Sequence, residues 1–362
     1  MDRLLVLGAT GYTGRLVVSA LERLEQPYVL GGRNRVALEE MAAALPSRPD
    51  VRVADAGDGA SVAQALGGMR AVINTVGPFT MLGMPVVRAA VDMGVHYVDT
   101  TGEQTFQMQV YESLHRRAVS TGATVITGAA FEYTFSYLGA ALLHERCGPL
   151  LTVSSYHFTD GFRPSTGTAL SALGMIGERF VAFRDGRLAP MPTSWTARRV
   201  MFPGERDPFW AAPFPGGDAV MLPLDIASLQ SASCYVLLPR AAAAGLALAT
   251  KAQPAARRMM GDRMRRLAAR GIARWMAPPP PGERENASWI VFVHAQSPSG
   301  SHLCRMSGAD VYATSGATAA LTATWLVRGR GRDAGVMTTG KALPAMDMLD
   351  ALRTFGVRWE LR

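Results

Sequence analysis

The chain has 362 residues, 48% of them apolar and 18% charged, which suits about two globular domains with buried cores and excludes a disordered chain. Its three cysteines, Cys147, Cys234 and Cys304, lie far apart, forming neither a metal-binding spacing nor a disulfide framework, and they predict reduced thiols in a cytoplasmic protein. The net charge is +8, and all but two of the 37 basic residues are arginines, scattered without an aromatic-interleaved basic run; this excludes nucleic acid and leaves acidic partners such as phosphorylated cofactors.

The first element is the apolar run Leu4-Leu5-Val6-Leu7, which leads into Gly8, Gly11 and Gly14 and then an amphipathic stretch. The order is strand, tight turn, helix. A helix that opens on glycines presents backbone N–H groups and the positive end of its dipole to an anion. Gly8 permits the turn, Gly11 the approach of a pyrophosphate, and Gly14 close packing of helix on sheet. Thr10, Tyr12 and Thr13 complete the predicted dinucleotide loop.

The second strand, 28–32, ends on Arg33 and Asn34, with Arg33 nineteen positions after Gly14. An acidic side chain there would bind the 2′-hydroxyl of NAD, whereas an arginine fork matches the 2′-phosphate of NADP. NADPH is therefore the predicted cofactor. Further strands are predicted at 51–55, 71–76, 96–100 and 124–127, alternating with helices at 14–24, 36–45, 61–66, 84–93 and 106–120. That alternation predicts an α/β, Rossmann-type doubly wound parallel sheet over residues 1–130. Ligands bind at the carboxyl ends of such strands, which adds Asp55, Thr75, Val76, Gly77, Pro78 and Glu103 to the site.

From about Pro149 the texture changes to an α+β second domain, 131–310. Strands are expected at 151–158, 195–202, 218–227 and 288–297, and helices at 171–183 and 240–273. Asp185-Gly186 and Pro298-Ser299-Gly300 read as hairpin turns. Residues 311–362 read as helices and a closing strand, with a return of the helices to the first domain expected. No uninterrupted apolar run reaches 18 residues, so no membrane span is predicted; 241–249 is only a helix-length apolar patch. The chain enters a strand at once, without a signal-peptide pattern. Second-domain strands also offer an edge for a homodimer.

These residues resemble a family. Gly8-Ala9-Thr10-Gly11-Tyr12-Thr13-Gly14, Gly32-Arg33-Asn34, Asn74-Thr75-Val76-Gly77-Pro78-Phe79 and Tyr97-Val98-Asp99-Thr100-Thr101-Gly102-Glu103 are similar to signatures of the saccharopine dehydrogenase-like oxidoreductases. Ser165-Thr166-Gly167-Thr168 resembles their Ser-x-Gly-Thr element. The resemblance implies an NADPH-dependent reductase, and the chain's size is similar to that of trans-acting enoyl reductases that serve polyketide synthases. One segment departs from the family: Gly-Phe-Asp-Ser-x-Pro-Ser-Asp is replaced by Ala130-Phe131-Glu132-Tyr133-Thr134-Phe135-Ser136-Tyr137.

Hydride transfer is the cofactor's chemistry, so the protein must align the reactants and supply a proton. Candidate catalytic residues are Tyr133 as a phenol donor, His157 as the group titrating nearest neutrality, and Glu103 as an orienting carboxylate. A packed aromatic, a satisfied strand histidine and a capping carboxylate are the alternatives. No metal ligands are predicted. The aromatic and proline-rich segments around Phe202, Trp210, Phe214 and Leu222 suit an apolar substrate, with core packing as the alternative. The leading expectation is reduction of the C=C of an apolar, polyketide- or fatty-acyl-like enoyl thioester, carried by an acyl carrier protein or a polyketide synthase. An imine reductase of an amino-acid-like substrate, using Arg163, Arg198 and Arg199, is the alternative. A third is a non-catalytic NADP-binding regulatory protein.

Overall fold

A computed structural model describes residues 3–192, 196–259 and 261–362. They divide into two compact units. One holds the residues up to 102, 106–134 and 311–355; the other holds 103–105, 135–310 and 356–362. The chain runs β1 (Leu4–Leu7), α1 (Tyr12–Arg23), β2 (Tyr28–Gly32), α2 (Arg35–Ala44), β3 (Val51–Val53), α3 (Gly59–Leu66), β4 (Ala71–Asn74), α4 (Phe79–Asp92), β5 (His96–Asp99), α5 (Gln104–Thr121) and β6 (Thr124–Ile126). Next come α6 (Phe131–Cys147), β7 (Thr152–Asp160), α7 (Thr166–Met175), β8 (Val181–Arg184), β9 (Arg187–Pro190), β10 (Arg198–Val200), β11 (Phe209–Phe214), α8 (Asp218–Asp225) and β12 (Ser231–Leu238). The rest is α9 (Arg240–Met259), α10 (Asp262–Trp275), α11 (Pro281–Asn286), β13 (Ser288–Ser297), β14 (Gly300–Ala309), α12 (Val311–Val327), β15 (Gly335–Val336), α13 (Thr339–Ala342), α14 (Ala345–Leu352) and β16 (Arg358–Leu361).

The first unit is built on a seven-stranded parallel sheet in the order β15-β6-β5-β4-β1-β2-β3. Every residue of β1 and β4 is buried. Parallel strands covered on both faces need such continuous apolar runs. The chain leaves β1 toward β2 on one side, while β4 lies on the other. The crevice between β1 and β4 is therefore the switch point at which doubly wound sheets take their ligands. Helix α12 returns to this unit and packs on α1 through Gly316, where a Cβ would lie 2.8 Å from the backbone carbon of Leu16.

The second unit is built on a mixed sheet in the order β10-β11-β12-β7-β13-β14-β16, with the β8–β9 hairpin attached to β12. β7 pairs parallel with β12 and antiparallel with β13. Period-2 alternation sorts β7 between two chemistries. Tyr156 and Phe158 join Phe202, Tyr235 and Phe292 in an aromatic cluster on one face. Ser155 and His157 point to the other face, toward α8 and α6, with which they hydrogen-bond. The closing strand β16 pairs with β14, so the end of the chain returns to this sheet rather than to the first.

Three expectations are corrected. Residues 218–227, expected as a strand, form helix α8, because a short apolar run fits either period. The amides of Val220 and Met221 bond back to the Gly217 carbonyl at 3.0 and 2.8 Å and start the helix. The helix expected at 171–183 begins earlier, where the Ser165 hydroxyl accepts from the Thr168 amide at 3.2 Å. It ends at Met175, just before Gly177 at φ +81°, and residues 181–184 become β8. The stretch 240–273 is two helices, with Gly261 capping the second. Trp195, the start of another expected strand, lies outside the described residues; β10 occupies 198–200. Helix α6 and strands β11 and β12 are additional to the predicted elements.

Candidate active site

The glycine loop has little room for side chains. Gly8 sits at φ +85°, and a Cβ there would lie 2.7 Å from Thr75 Oγ1 and 2.8 Å from Val76 Cγ2. A Cβ on Gly14 would lie 2.2 Å from the Gly8 carbonyl oxygen. Gly11 is the N-cap of α1, extended and with no side chain of its own to meet the first-turn amides. The first turn carries no acidic residue. With neither a side-chain cap nor an acidic residue at this end of the helix, the residues present fit a dinucleotide pyrophosphate.

The loop is fixed from both neighbouring strands. The amides of Gly8 and Ala9 donate to the Gly31 carbonyl at the end of β2, at 2.9 and 3.1 Å. The Thr75 hydroxyl, just past β4, donates to the Leu7 carbonyl at 2.9 Å. Val76 follows with its amide on Asn74 Oδ1 at 3.0 Å. The Gly77–Pro78 peptide is cis, and Pro78 caps α4. Gly8, Thr75 and Val76 therefore stand together at the switch point. Thr10 holds Arg15 through its carbonyl at 3.1 Å, and the Tyr12 ring meets Tyr312 edge-on at 5.0 Å. Thr13 is half-buried. Arg33 is exposed immediately beyond β2. Asn34 is occupied as the cap of α2, accepting from the Ala37 amide at 3.2 Å. Asp55 is exposed and turns its own loop, accepting from the Gly57 amide at 2.9 Å.

The three catalytic candidates each sit in their own local network. Tyr133 is wholly buried, and its phenol donates to the Gly102 carbonyl at 3.0 Å. Glu103 is 2% exposed and accepts from the Ser171 hydroxyl at 2.8 Å, within the second unit. His157 is buried there too, with Nε2 at 3.4 Å from Ser136 Oγ, and burial lowers its pKa to about 4. A histidine so placed is neutral at pH 7 and has no proton to give.

Residues 4–126 match the family model of the saccharopine dehydrogenase NADP binding domain. A probable mitochondrial saccharopine dehydrogenase-like oxidoreductase of Arabidopsis thaliana is 34% identical over 150 residues, 38% of this chain and 33% of that protein. The trans-acting enoyl reductase of Mycobacterium leprae is 33% identical over 148 residues, 40% of this chain and 35% of that protein. The chain thus spans about a third of the length of these two relatives. Apo saccharopine dehydrogenase of Saccharomyces cerevisiae shares the fold over the whole of both chains, with a TM-score of 0.61 at 14% identity. Over its NADP-binding segment the chain is similar to the saccharopine dehydrogenase-like oxidoreductases. Its cofactor is NADP(H), and the glycine loop lies inside the matched segment.

Two features of this saccharopine dehydrogenase-like chain escaped the sequence. Glu132 lies in the first turn of α6, and burial pushes its carboxyl up. Its Oε1 stands 3.7 Å from where a Cβ on Gly102 would be, so Glu132 and Tyr133 flank the same glycine. The departure from the family motif marked the position but not its role. Asp218 is fully buried, accepts from Ser155 Oγ at 3.0 Å, and burial raises its pKa to about 6. His157, Asp218 and Cys234 have donor atoms within 4.8 Å of one another, a cluster with cation-ligand chemistry among the described residues. Serine hydroxyls already meet both its histidine and its carboxylate.

Proposed function

We propose that the chain is an NADPH-dependent reductase of an apolar enoyl thioester, presented in trans by a carrier protein or synthase. NADPH supplies the hydride when bound. The chain's own residues hold the pyrophosphate at Gly8, Gly11 and Gly14, and Arg33 meets the 2′-phosphate. Thr75, Val76 and Pro78 border the nicotinamide side of the crevice. The proton for the α-carbon passes through Glu132, whose raised pKa keeps a proton nearer neutrality than an ordinary carboxyl does. Tyr133 fixes the Gly102 carbonyl, and Glu103 fixes Ser171.

The observation that carries the substrate class is the placement of the arginines an amino acid would need. Arg163 is ion-paired with Glu283. Arg198 donates to the Tyr156 hydroxyl at 2.8 Å and lies over the Tyr235 ring at 4.6 Å. Arg163 and Arg198 are thus engaged within the second unit, and of the three arginines only Arg199 stands exposed without such a contact, which weighs against an amino-acid-like imine. The same region offers a groove of 400 Å³ lined by Tyr156, Met201, Phe202, His294, His302 and Leu303. Its aromatic wall suits an acyl chain. Part of the wall anticipated from the sequence is core: Phe202 stacks on Phe292 at 3.9 Å. The enoyl reductase name of the Mycobacterium leprae relative supports the same reading.

The test is NADPH consumption, followed by absorbance, with a long-chain trans-2-enoyl thioester and with a cyclic imino acid. Turnover of the thioester alone is expected. Turnover of the imine alone overturns the proposal.

A further inference from the structure

Helices α9 and α10 carry their apolar residues outward. On α9, Ala241, Ala244, Gly245, Leu248, Ala249 and Ala252 follow the i, i+3, i+4, i+7, i+8, i+11 spacing of one helix face, and all six are exposed. Leu248 is 67% exposed. The buried positions, Ala243 and Ala247, are on the opposite side, where α9 lies on β11 and β12. A helix on the surface of a globular unit ordinarily does the reverse.

Helix α10 repeats the arrangement. Met264, Leu267 and Trp275 are 54%, 58% and 80% exposed. At 3.6 residues per turn they share about 80° of the helix circumference. Arg270 and Arg274 are exposed beside that stripe. Arg265 faces inward and donates to the carbonyls of Gly174 and Ile176 near α7, on which α10 packs.

Charge selects the occupant. Residues 240–275 contain nine basic residues and one acidic residue, Asp262, a surplus equal to the +8 of the whole chain. Two copies pressed together here would bring like charges into contact. A nucleic acid would use the arginines and leave Leu248, Leu267 and Trp275 in water. Apolar side chains, an exposed tryptophan and flanking arginines on helices that lie flat are the means by which proteins rest in a lipid headgroup layer. No helix among the described residues is long and apolar enough to cross a membrane. We infer that the α9–α10 surface docks the protein on an anionic phospholipid surface. This inference is independent of the substrate proposed above.

Co-sedimentation of the full chain tests it, using vesicles of phosphatidylcholine alone and of phosphatidylcholine mixed with phosphatidylglycerol. The protein should pellet with the mixed vesicles, and added salt should release it. The triple variant Leu248→Gln/Leu267→Gln/Trp275→Ser should lose binding at least tenfold. Arg270→Gln/Arg274→Gln should also weaken it by about tenfold or more. Both variants should keep the wild-type Tm and NADPH titration, since these side chains are exposed and the glycine loop belongs to the other unit. Absence of pelleting, equal pelleting with pure phosphatidylcholine, or full vesicle binding by the triple variant overturns the inference. So does light scattering that shows the triple variant changing a dimer to a monomer while vesicle binding is unaltered.

Discussion

Arg33 illustrates how much one side chain can decide. It stands exposed past β2, and the neighbouring Asn34 is already committed to capping α2, so the guanidinium is the group free to meet a 2′-phosphate. A charge-assisted hydrogen bond is worth roughly 1.5–3 kcal/mol. Arg33→Ala should therefore weaken NADPH about tenfold or more and leave NADH nearly unchanged, as read by fluorescence titration with both cofactors. Equal losses would remove Arg33 from the phosphate site. Tyr133 tests the opposite kind of role. Tyr133→Phe leaves the half-buried Gly102 carbonyl without this donor and should cost about 1 kcal/mol of stability, with turnover retained. Lost turnover at an unchanged Tm would return the phenol to the chemistry. The crowded turn of Gly8 and Gly14 was legible in the sequence because glycine spacing fixes the backbone geometry. The raised carboxyl of Glu132 was not, because it depends on burial, which no local pattern encodes.

Elements show the same division. β1 to β6 fall within two residues of their predicted ends, since buried parallel strands are short continuous apolar runs between turn residues. α8 was misread because Asp218 to Asp225 is equally short and apolar. The misreading concealed a buried pair. His157 on β7 titrates near pH 4 when folded and near 6.5 when unfolded, so its contribution is present above 6.5 and lost as pH falls toward 4. Asp218 on α8 is raised from 3.8 to about 6, so it takes up a proton on folding and loses stability as pH rises through that window. Between pH 4 and 6 the two slopes oppose each other. The folded neutral pair and the unfolded ionised pair each hold one proton. Asp218→Asn removes one side of this balance. The variant should lose stability relative to wild type as pH falls from 6 to 4, by about 2–3 kcal/mol in denaturant titrations. A gap that is constant across this range would show that the two groups do not offset each other.

At the scale of the molecule, a doubly wound sheet brings the ends of β1, β2 and β4 to one crevice, and a second sheet divides aromatic from polar side chains strand by strand. The first architecture was readable from β1 to β6, because helix and strand periods alternate cleanly, whereas the two-residue edge strand β15 is too short to show a period. The second was readable at β7 and at its hairpins, where turn residues fix the geometry, while β11 and β12 were hidden in aromatic and small-residue runs. The reaction proposed for the whole molecule is reduction of an apolar enoyl thioester with NADPH. It is tested most directly by supplying NADPH deuterated at the transferable position together with a long-chain trans-2-enoyl thioester, and analysing the product by mass spectrometry. One deuterium on the β-carbon of a saturated thioester and a solvent-derived hydrogen on the α-carbon are expected. Label recovered instead on the carbon of a reduced imine supplied in parallel, with the enoyl thioester unchanged, would contradict it.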